Sequence, residues 1–229
     1  TTEIYTLSLH DALPILGIDA RLQPSDLAAV IAACLLSDWH LITVDWETAQ
    51  HYRAPWGQVG EDFKSHPRLM FELLQQARSI SALAAAAILS HHERYDGKGF
   101  PKGRAADQIY PLGQLVAAAD LLALGFCGEL ATEGVTPSQF NDYLSAQAGL
   151  CLSPKLAQRA AQLFPPACRG ARVELSDGRQ AIVEKPTPGL PSRPVVRITG
   201  EDKSLALADQ PNLLIDRILL PCWVAVNTG

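Results

Sequence analysis

The sequence of 229 residues lacks features that mark several common classes of protein. It contains no run of lysine or arginine, and its net charge is −5. A nucleic-acid partner is therefore not expected, because phosphate binding usually leaves a basic surface. The five cysteines form no C-x-x-C pair. That spacing argues against a zinc–thiolate site and favours reduced, buried thiols in a cytoplasmic protein.

Long apolar runs are also missing. The longest candidates, around Ala82–Leu89 and Leu115–Phe126, are too short to span a bilayer, and Asp120 interrupts the second. No basic segment typical of a secretory signal opens the sequence. Hydrophobic residues nevertheless make up 48% of the chain, which is enough to bury a core.

The first fifteen residues read TTEIYTLSLHDALPI, which resembles the translation of a short-read sequencing adapter. We therefore leave residues 1–15 out of the fold prediction, as one leaves out a fusion scar. The exclusion removes His10 and Asp11, a pair that would otherwise suggest a metal-binding dyad. If the adapter joins the gene near Leu16, the natural protein begins further upstream.

Helical periodicity and capping residues predict a mainly α domain over residues 16–166, followed by a small β-rich tail over 167–229. The predicted helices cover residues 27–36, with Ser25 or Asp26 as the N-cap, then 61–78, 82–92 after Ser81, and 111–126. Two more begin near residues 137 and 154, and residues 45–60 are predicted as a loop. In the tail, an Asp177–Gly178 turn between alternating segments predicts a hairpin, with further strands at 194–198 and 213–218.

The string HHERYDGKGFPKG, over residues 91–103, is the strongest candidate for chemistry. Adjacent histidines are rare in a core, because each imidazole needs partners for its polar nitrogens. The glycine-rich turn that follows would let the backbone approach a ligand closely. A solvated helix end followed by a tight turn is the structural alternative, and spacing alone does not separate the two.

The pattern HHE-x-x-DG-x-G-[YF]-P-x-G resembles the signature of the HD-GYP family of cyclic-di-GMP phosphodiesterases, with Phe100 in place of the usual tyrosine. The resemblance also covers His66–Pro67, Asp120 and the hairpin of the tail, from about residue 24 onward. It implies an HD-type helical bundle that holds iron or manganese. It also implies that the metal activates a water to attack the phosphodiester of a cyclic dinucleotide.

The resemblance assigns roles position by position. The metal ligands would be Asp38, His66, His91, His92 and Asp120, with Asp38 also in a catalytic role. A second group would fix or form the loop beside the substrate: Glu93, Asp96, Gly97, Lys98, Gly99, Phe100 and Pro101. Signalling proteins would contact the segment Gly97–Gly103.

The sequence departs from the family at the dyad that names it. The family string L-L-H-D-x-G-K corresponds here to LLSDWHL, in which Ser37 replaces the histidine and Leu41 replaces the lysine. Serine is a poor ligand for these metals, and leucine cannot bind phosphate. His40 lies two positions beyond Asp38 and would point elsewhere on a helix. One ion rather than two, or none, is therefore expected.

Two functions stay open after this comparison. One is a phosphodiesterase that opens cyclic di-GMP. The other is a catalytically inactive module that senses a cyclic dinucleotide or binds signalling proteins. Ser37 and Leu41 disfavour the first. A third possibility, an HD-type phosphohydrolase with another substrate, is disfavoured by the intact string at residues 91–103.

Overall fold

The computed structural model describes residues 9–39, 60–77, 80–127, 137–164, 167, 169–188 and 190–220. Within these ranges the chain forms seven α-helices followed by five β-strands. The order confirms the predicted mainly α fold with a β-rich C-terminal part. His40, Leu41 and nearly all of the predicted loop at residues 45–60 lie outside the described residues.

The chain divides into two compact units. Within the described residues, the helical unit covers the chain up to Leu124 together with Gln147–Gln158, and the sheet unit covers the residues between Gly125 and Ala146 and those from Arg159 onward. All five residues predicted as metal ligands belong to the helical unit.

The helices are α1 (Leu9–Asp19), α2 (Pro24–Leu36), α3 (Glu61–Ala77), α4 (Ala82–Ser90), α5 (Pro111–Cys127), α6 (Pro137–Gln147) and α7 (Pro154–Leu163). Helix α1 includes part of the segment that resembles an adapter, and its Ala12 and Leu13 are fully buried. The side chains of His10 and Asp11 lie outside the described part of the chain. No helix in the described ranges is long and apolar enough to cross a membrane.

Capping residues were predicted with mixed success. Ser81 caps α4 as expected, because its side chain accepts a hydrogen bond from the Ala84 N–H at 3.2 Å. The predicted N-cap of α2 at Ser25 or Asp26 is wrong. Gln23 occupies that position, since a proline fills the first helical turn, where its missing N–H leaves no bond unmade.

Small side chains bring the helices of the helical unit close together. Helix α2 packs against α1 and α4, and α3 also packs against α4. Helix α4 is rich in alanine, and its Ala84, Ala85 and Ala87 are buried. A Cβ atom at Gly113 of α5 would collide with the Ser90 hydroxyl, so glycine is required at this contact. This close packing brings the C-terminal ends of α2 and α4 beside α3.

The sheet unit contains β1 (Arg172–Leu175), β2 (Gln180–Thr187), β3 (Leu190–Ile198), β4 (Ser204–Ala206) and β5 (Ile215–Leu220). The strands are antiparallel in the order β4-β3-β2-β1-β5. Gly178 turns the predicted hairpin between β1 and β2 with a φ of +82°. Strand β4 was not predicted, since three residues are too few to show an alternating pattern.

Candidate metal centre

Three segments of the helical unit place a cluster of imidazoles and one carboxylate together. Asp38 follows the residue that caps the C-terminal end of α2, and His66 lies in the first half of α3. His91 caps the C-terminal end of α4, and His92 comes next. Each of these four residues offers one ligand atom, and the four atoms lie within 4.8 Å of one another. The cluster therefore contains four of the five residues predicted as metal ligands.

Individual distances within the cluster suit one shared ion. The Nε2 atoms of His66 and His91 are 3.3 Å apart, and they lie 3.6 and 3.9 Å from an Asp38 carboxylate oxygen. Metal–nitrogen bonds of about 2.1 Å separate neighbouring ligand atoms by roughly 3–4 Å. The spacing is thus that of atoms arranged around a single centre.

Backbone carbonyls fix the tautomers of two histidines. His66 Nδ1 lies 2.7 Å from the Phe63 carbonyl oxygen, and His91 Nδ1 lies 2.6 Å from the Ile88 carbonyl oxygen. A carbonyl only accepts, so each Nδ1 carries the proton and donates it. The Nε2 lone pairs therefore face each other across 3.3 Å, an arrangement that needs a cation or a proton between them. The donor set fits a metal ion.

Burial and neighbouring charges together set the pKa values of His91 and His92 in this cluster. His66, His91 and His92 are 0%, 1% and 5% exposed, whereas the Asp38 side chain keeps 36% of its surface exposed. Burial alone would lower the pKa of His91, but the nearby Asp38 carboxylate, together with the Ile88 carbonyl, outweighs burial and raises the pKa. Burial, followed by the charges of its two histidine neighbours, lowers the pKa of His92 well below its ordinary value. His92 is thus held neutral, the form in which imidazole binds metals.

Asp120, the fifth predicted ligand, is not one of the four clustered groups. It lies in α5, and its charge interacts with those of Asp38 and His91. Burial first, and then the Asp38 charge, raise the pKa of Asp120 to about 7. The structure thus places Asp120 in the neighbourhood of the cluster without joining it to the shared centre.

Ser37 occupies the position of the missing family histidine. It is fully buried, and its hydroxyl lies 3.4 Å from the Cys34 carbonyl oxygen of the preceding helical turn. Burial would raise the pKa of the adjacent Asp38 carboxyl, but His91 and His66, with a weaker contribution from Ser37, lower it. Ser37 therefore supports the Asp38 carboxylate and supplies no imidazole to the cluster.

Glu93 fixes the loop that follows the histidine pair. Its carboxylate is buried and accepts backbone N–H groups from Lys102 and Arg104, each at 2.8 Å. These two charge-assisted hydrogen bonds join Glu93 to residues about ten positions later in the chain, and so close the loop. The carbonyl of neighbouring His92 accepts the Phe100 N–H at 3.1 Å. The loop is thus attached directly to the residue that bears a candidate ligand.

Asp96 holds the near side of the same loop. Arg94 donates two hydrogen bonds to its carboxylate, at 3.1 and 2.8 Å, and the Lys98 N–H donates a third at 3.0 Å. The Asp96 N–H donates to the Leu150 carbonyl, which ties the loop to the turn before α7. The structure therefore places Glu93 and Asp96 in the loop and outside the four-residue cluster.

Two phenylalanines pack around the histidines, and sequence analysis missed the role of one of them. Phe100 stacks on His92, with ring centroids 4.7 Å apart and an interplanar angle of 30°. Phe63 contacts both His66 and His92, at centroid distances of 4.5 and 5.3 Å. The periodicity of α3 marked Phe63 only as an apolar position. Its carbonyl and ring together orient His66, and no pattern in the sequence signals this role.

The Arg94–Asp96 pair makes part of the stability depend on pH. The Arg94 hydrogen bonds, partly opposed by burial, lower the pKa of Asp96. The pair therefore contributes stability above the ordinary carboxyl pKa and loses it as pH falls through the lowered value. We expect Asp96→Asn to destabilise the protein by about 1–2 kcal/mol near neutral pH, with a smaller difference near pH 3. Urea unfolding at both pH values measures this.

The matched control for that experiment is Asp177→Asn. Asp177, like Asp96, pairs with an arginine two residues away, but this pair lies in the exposed hairpin of the sheet unit. An exposed pair contributes little, so this variant should unfold almost as the natural sequence does. Equal effects of the two substitutions would show that the Asp96 pair is not a special support of the loop.

Comparison with known proteins places the chain in a family. The sequence profile described as HD domain matches residues 19–156, more than half of the chain. The chain belongs to the HD domain family. The histidine pair with its loop resembles the HD-GYP signature, and the relatives below support the predicted HD-GYP type within this family.

One curated relative is the cyclic di-GMP phosphodiesterase response regulator RpfG of Xanthomonas campestris pv. campestris (strain 8004). It is 35% identical over 104 residues, which cover 43% of this chain and 28% of that protein. The chain thus spans less than a third of the length of this relative.

Solved structures confirm the fold. Bd1817, an HDG"Y"P protein from Bdellovibrio bacteriovorus, superposes with a TM-score of 0.53 at 21% identity, covering 69% of this chain and 50% of that one. A cyclic GMP-AMP specific phosphodiesterase of V. cholerae, V-cGAP3, gives the same TM-score at 15% identity, covering 69% and 42%.

Proposed function

We propose that this chain is an HD-GYP-type signalling domain that binds cyclic di-GMP at a site with one metal ion. The carrying observation is the cluster of Asp38, His66, His91 and His92, whose ligand atoms all lie within 4.8 Å of one another. The names of the curated relatives support cyclic di-GMP as the nucleotide.

Iron or manganese is the proposed ion. Three imidazoles and one carboxylate form a mixed nitrogen and oxygen donor set, which suits these metals better than a thiolate site would. When bound, the ion would neutralise a phosphodiester and polarise one of its oxygens. The residues themselves hold the donors in place, since the Phe63 and Ile88 carbonyls keep the Nε2 atoms of His66 and His91 directed at the centre.

Binding without turnover follows from the same geometry. Two-metal hydrolysis needs one ion for the attacking oxygen and another for the leaving oxygen. Ser37 supplies no ligand for a second ion, and its hydroxyl is directed at a backbone carbonyl.

The buried thiols of Cys34 and Cys151 fit a reducing compartment such as the cytoplasm. Docking of signalling proteins on Gly97–Gly103 stays a prediction.

The test is to incubate the full chain, loaded with iron or manganese, with cyclic di-GMP. Calorimetry should show saturable binding that disappears in His66→Ala, and chromatography should recover the nucleotide intact. Accumulation of the linear dinucleotide by the natural sequence, but not by His66→Ala, would overturn the absence of turnover. Failure of the metal-loaded protein to bind the nucleotide would overturn the proposed function.

A further inference from the structure

Basic side chains are concentrated in the loop that follows the histidine pair. Residues 94–104 read RYDGKGFPKGR, with four basic residues in a chain whose net charge is −5. Arg94 forms a bidentate ion pair with Asp96, which neutralises its charge. The remaining three, Lys98, Lys102 and Arg104, form what we call the basic rim, and all are exposed.

The loop's own acidic residues do not neutralise this rim. Both carboxylate oxygens of Glu93 accept hydrogen bonds from backbone N–H groups. The Asp96 carboxylate accepts hydrogen bonds from the Arg94 side chain and from the Lys98 N–H. Across the described residues, no ion pair engages Lys98, Lys102 or Arg104. Three positive charges therefore face solvent from one short loop.

Backbone geometry draws these charges together. Gly97 and Gly103 adopt positive φ values of +77° and +63°, and a Cβ atom at Gly103 would lie 3.3 Å from the Gly97 carbonyl oxygen. The backbone that enters the loop at Gly97 thus lies against the backbone that leaves it at Gly103. Lys98 follows Gly97 on the entering side, whereas Lys102 and Arg104 flank Gly103 on the leaving side.

The rim lies beside the metal cluster. Phe100 is two residues from both Lys98 and Lys102, and its ring stacks on His92 at 4.7 Å. Each residue extends the chain by at most about 3.6 Å, so the backbones of Lys98 and Lys102 lie within roughly 7 Å of the Phe100 backbone, and that of Arg104 lies within roughly 14 Å. A ligand held at the cluster is therefore within reach of the rim.

The charges of the metal cluster and of the nucleotide can be compared. A divalent ion beside the single carboxylate of Asp38 retains one positive charge, whereas cyclic di-GMP carries two negatively charged phosphodiesters. Resting on the proposed function, we propose that the basic rim is a subsite for the second phosphodiester, the one that the ion does not contact. Charge-assisted hydrogen bonds from lysine and arginine to phosphate oxygens are stronger than hydrogen bonds between neutral groups.

The test compares the natural sequence with the triple variant Lys98→Gln, Lys102→Gln and Arg104→Gln, both loaded with manganese. Calorimetric affinity for cyclic di-GMP should fall at least about tenfold in the triple variant. The difference should shrink between about 50 mM and about 0.5 M salt, since salt screens exposed charges. Manganese affinity itself should not change, because no rim side chain is a cluster member.

A control variant, Lys155→Gln, removes an exposed lysine of α7 and should bind the nucleotide normally. If the natural sequence binds cyclic di-GMP and the triple variant binds it equally well, the rim is not a subsite and the proposal is overturned. If the natural sequence does not bind at all, the proposed function fails instead. The two failures are thus distinct.

Discussion

Replacing His66 with alanine is expected to weaken metal binding by on the order of a hundredfold. His66 provides the Nε2 atom that lies 3.3 Å from His91 and 3.6 Å from Asp38 at the middle of the cluster. Structural zinc sites gain roughly 10–16 kcal/mol from four ligands, so losing one ligand should cost roughly 3 kcal/mol. Competition with a chelating dye measures the affinity directly.

The His66→Ala substitution removes a ligand but also leaves a cavity beside α3, and a control must distinguish these two effects. Met70 lies one turn further along the same helix, is buried, and belongs to no cluster. Met70→Ala should destabilise the fold by about 2–5 kcal/mol and leave the metal affinity of the folded protein unchanged. If both substitutions weakened metal binding equally, the effect would arise from α3 packing and not from the His66 imidazole.

Replacing Gly99 with alanine is expected to disturb the loop and the metal site together. A Cβ atom there would collide with the Arg94 nitrogen and the His92 carbonyl oxygen, and would lie 2.6 Å from Glu93 Cα. All three are backbone atoms, which cannot rotate away. We expect a destabilisation of about 2 kcal/mol or more. Metal affinity should fall by about 10- to 100-fold, because the loop supports His92.

Gly60→Ala is the matched control for this substitution. A Cβ atom at Gly60 meets nothing within 4 Å, so the variant should fold and bind metal as the natural sequence does. Thermal unfolding without metal and dye competition with metal give the two quantities separately. Unchanged metal affinity in folded Gly99→Ala would show that the loop does not position His92.

The sequence identified the candidate ligands because they stand in family order along the chain. Asp38, His66 and the histidine pair at 91–92 could each be dismissed alone as a cap or a surface residue. Read together with the loop string, they predicted a common site, and the structure brings these four together. Helix starts such as Ser81 were also predictable, since a cap is a local interaction of a few residues.

Other features depend on contacts that no local pattern encodes. The carbonyls that orient His66 and His91 belong to residues chosen for their apolar side chains, Phe63 and Ile88. The collision at Gly99 arises from the path of the loop over its own start, which only the folded backbone shows. Helix α1 was not predicted because residues 1–15 were left out of the fold prediction.

Metal stoichiometry tests the central claim most directly. The full chain should be purified without chelator, supplied with iron or manganese under reducing conditions, and analysed for bound ions per chain. One bound ion, lost in His66→Ala and retained in Met70→Ala, is the result that the four-residue cluster predicts. Two or more ions would contradict the single shared centre, and a folded protein that binds none would contradict the metal site altogether.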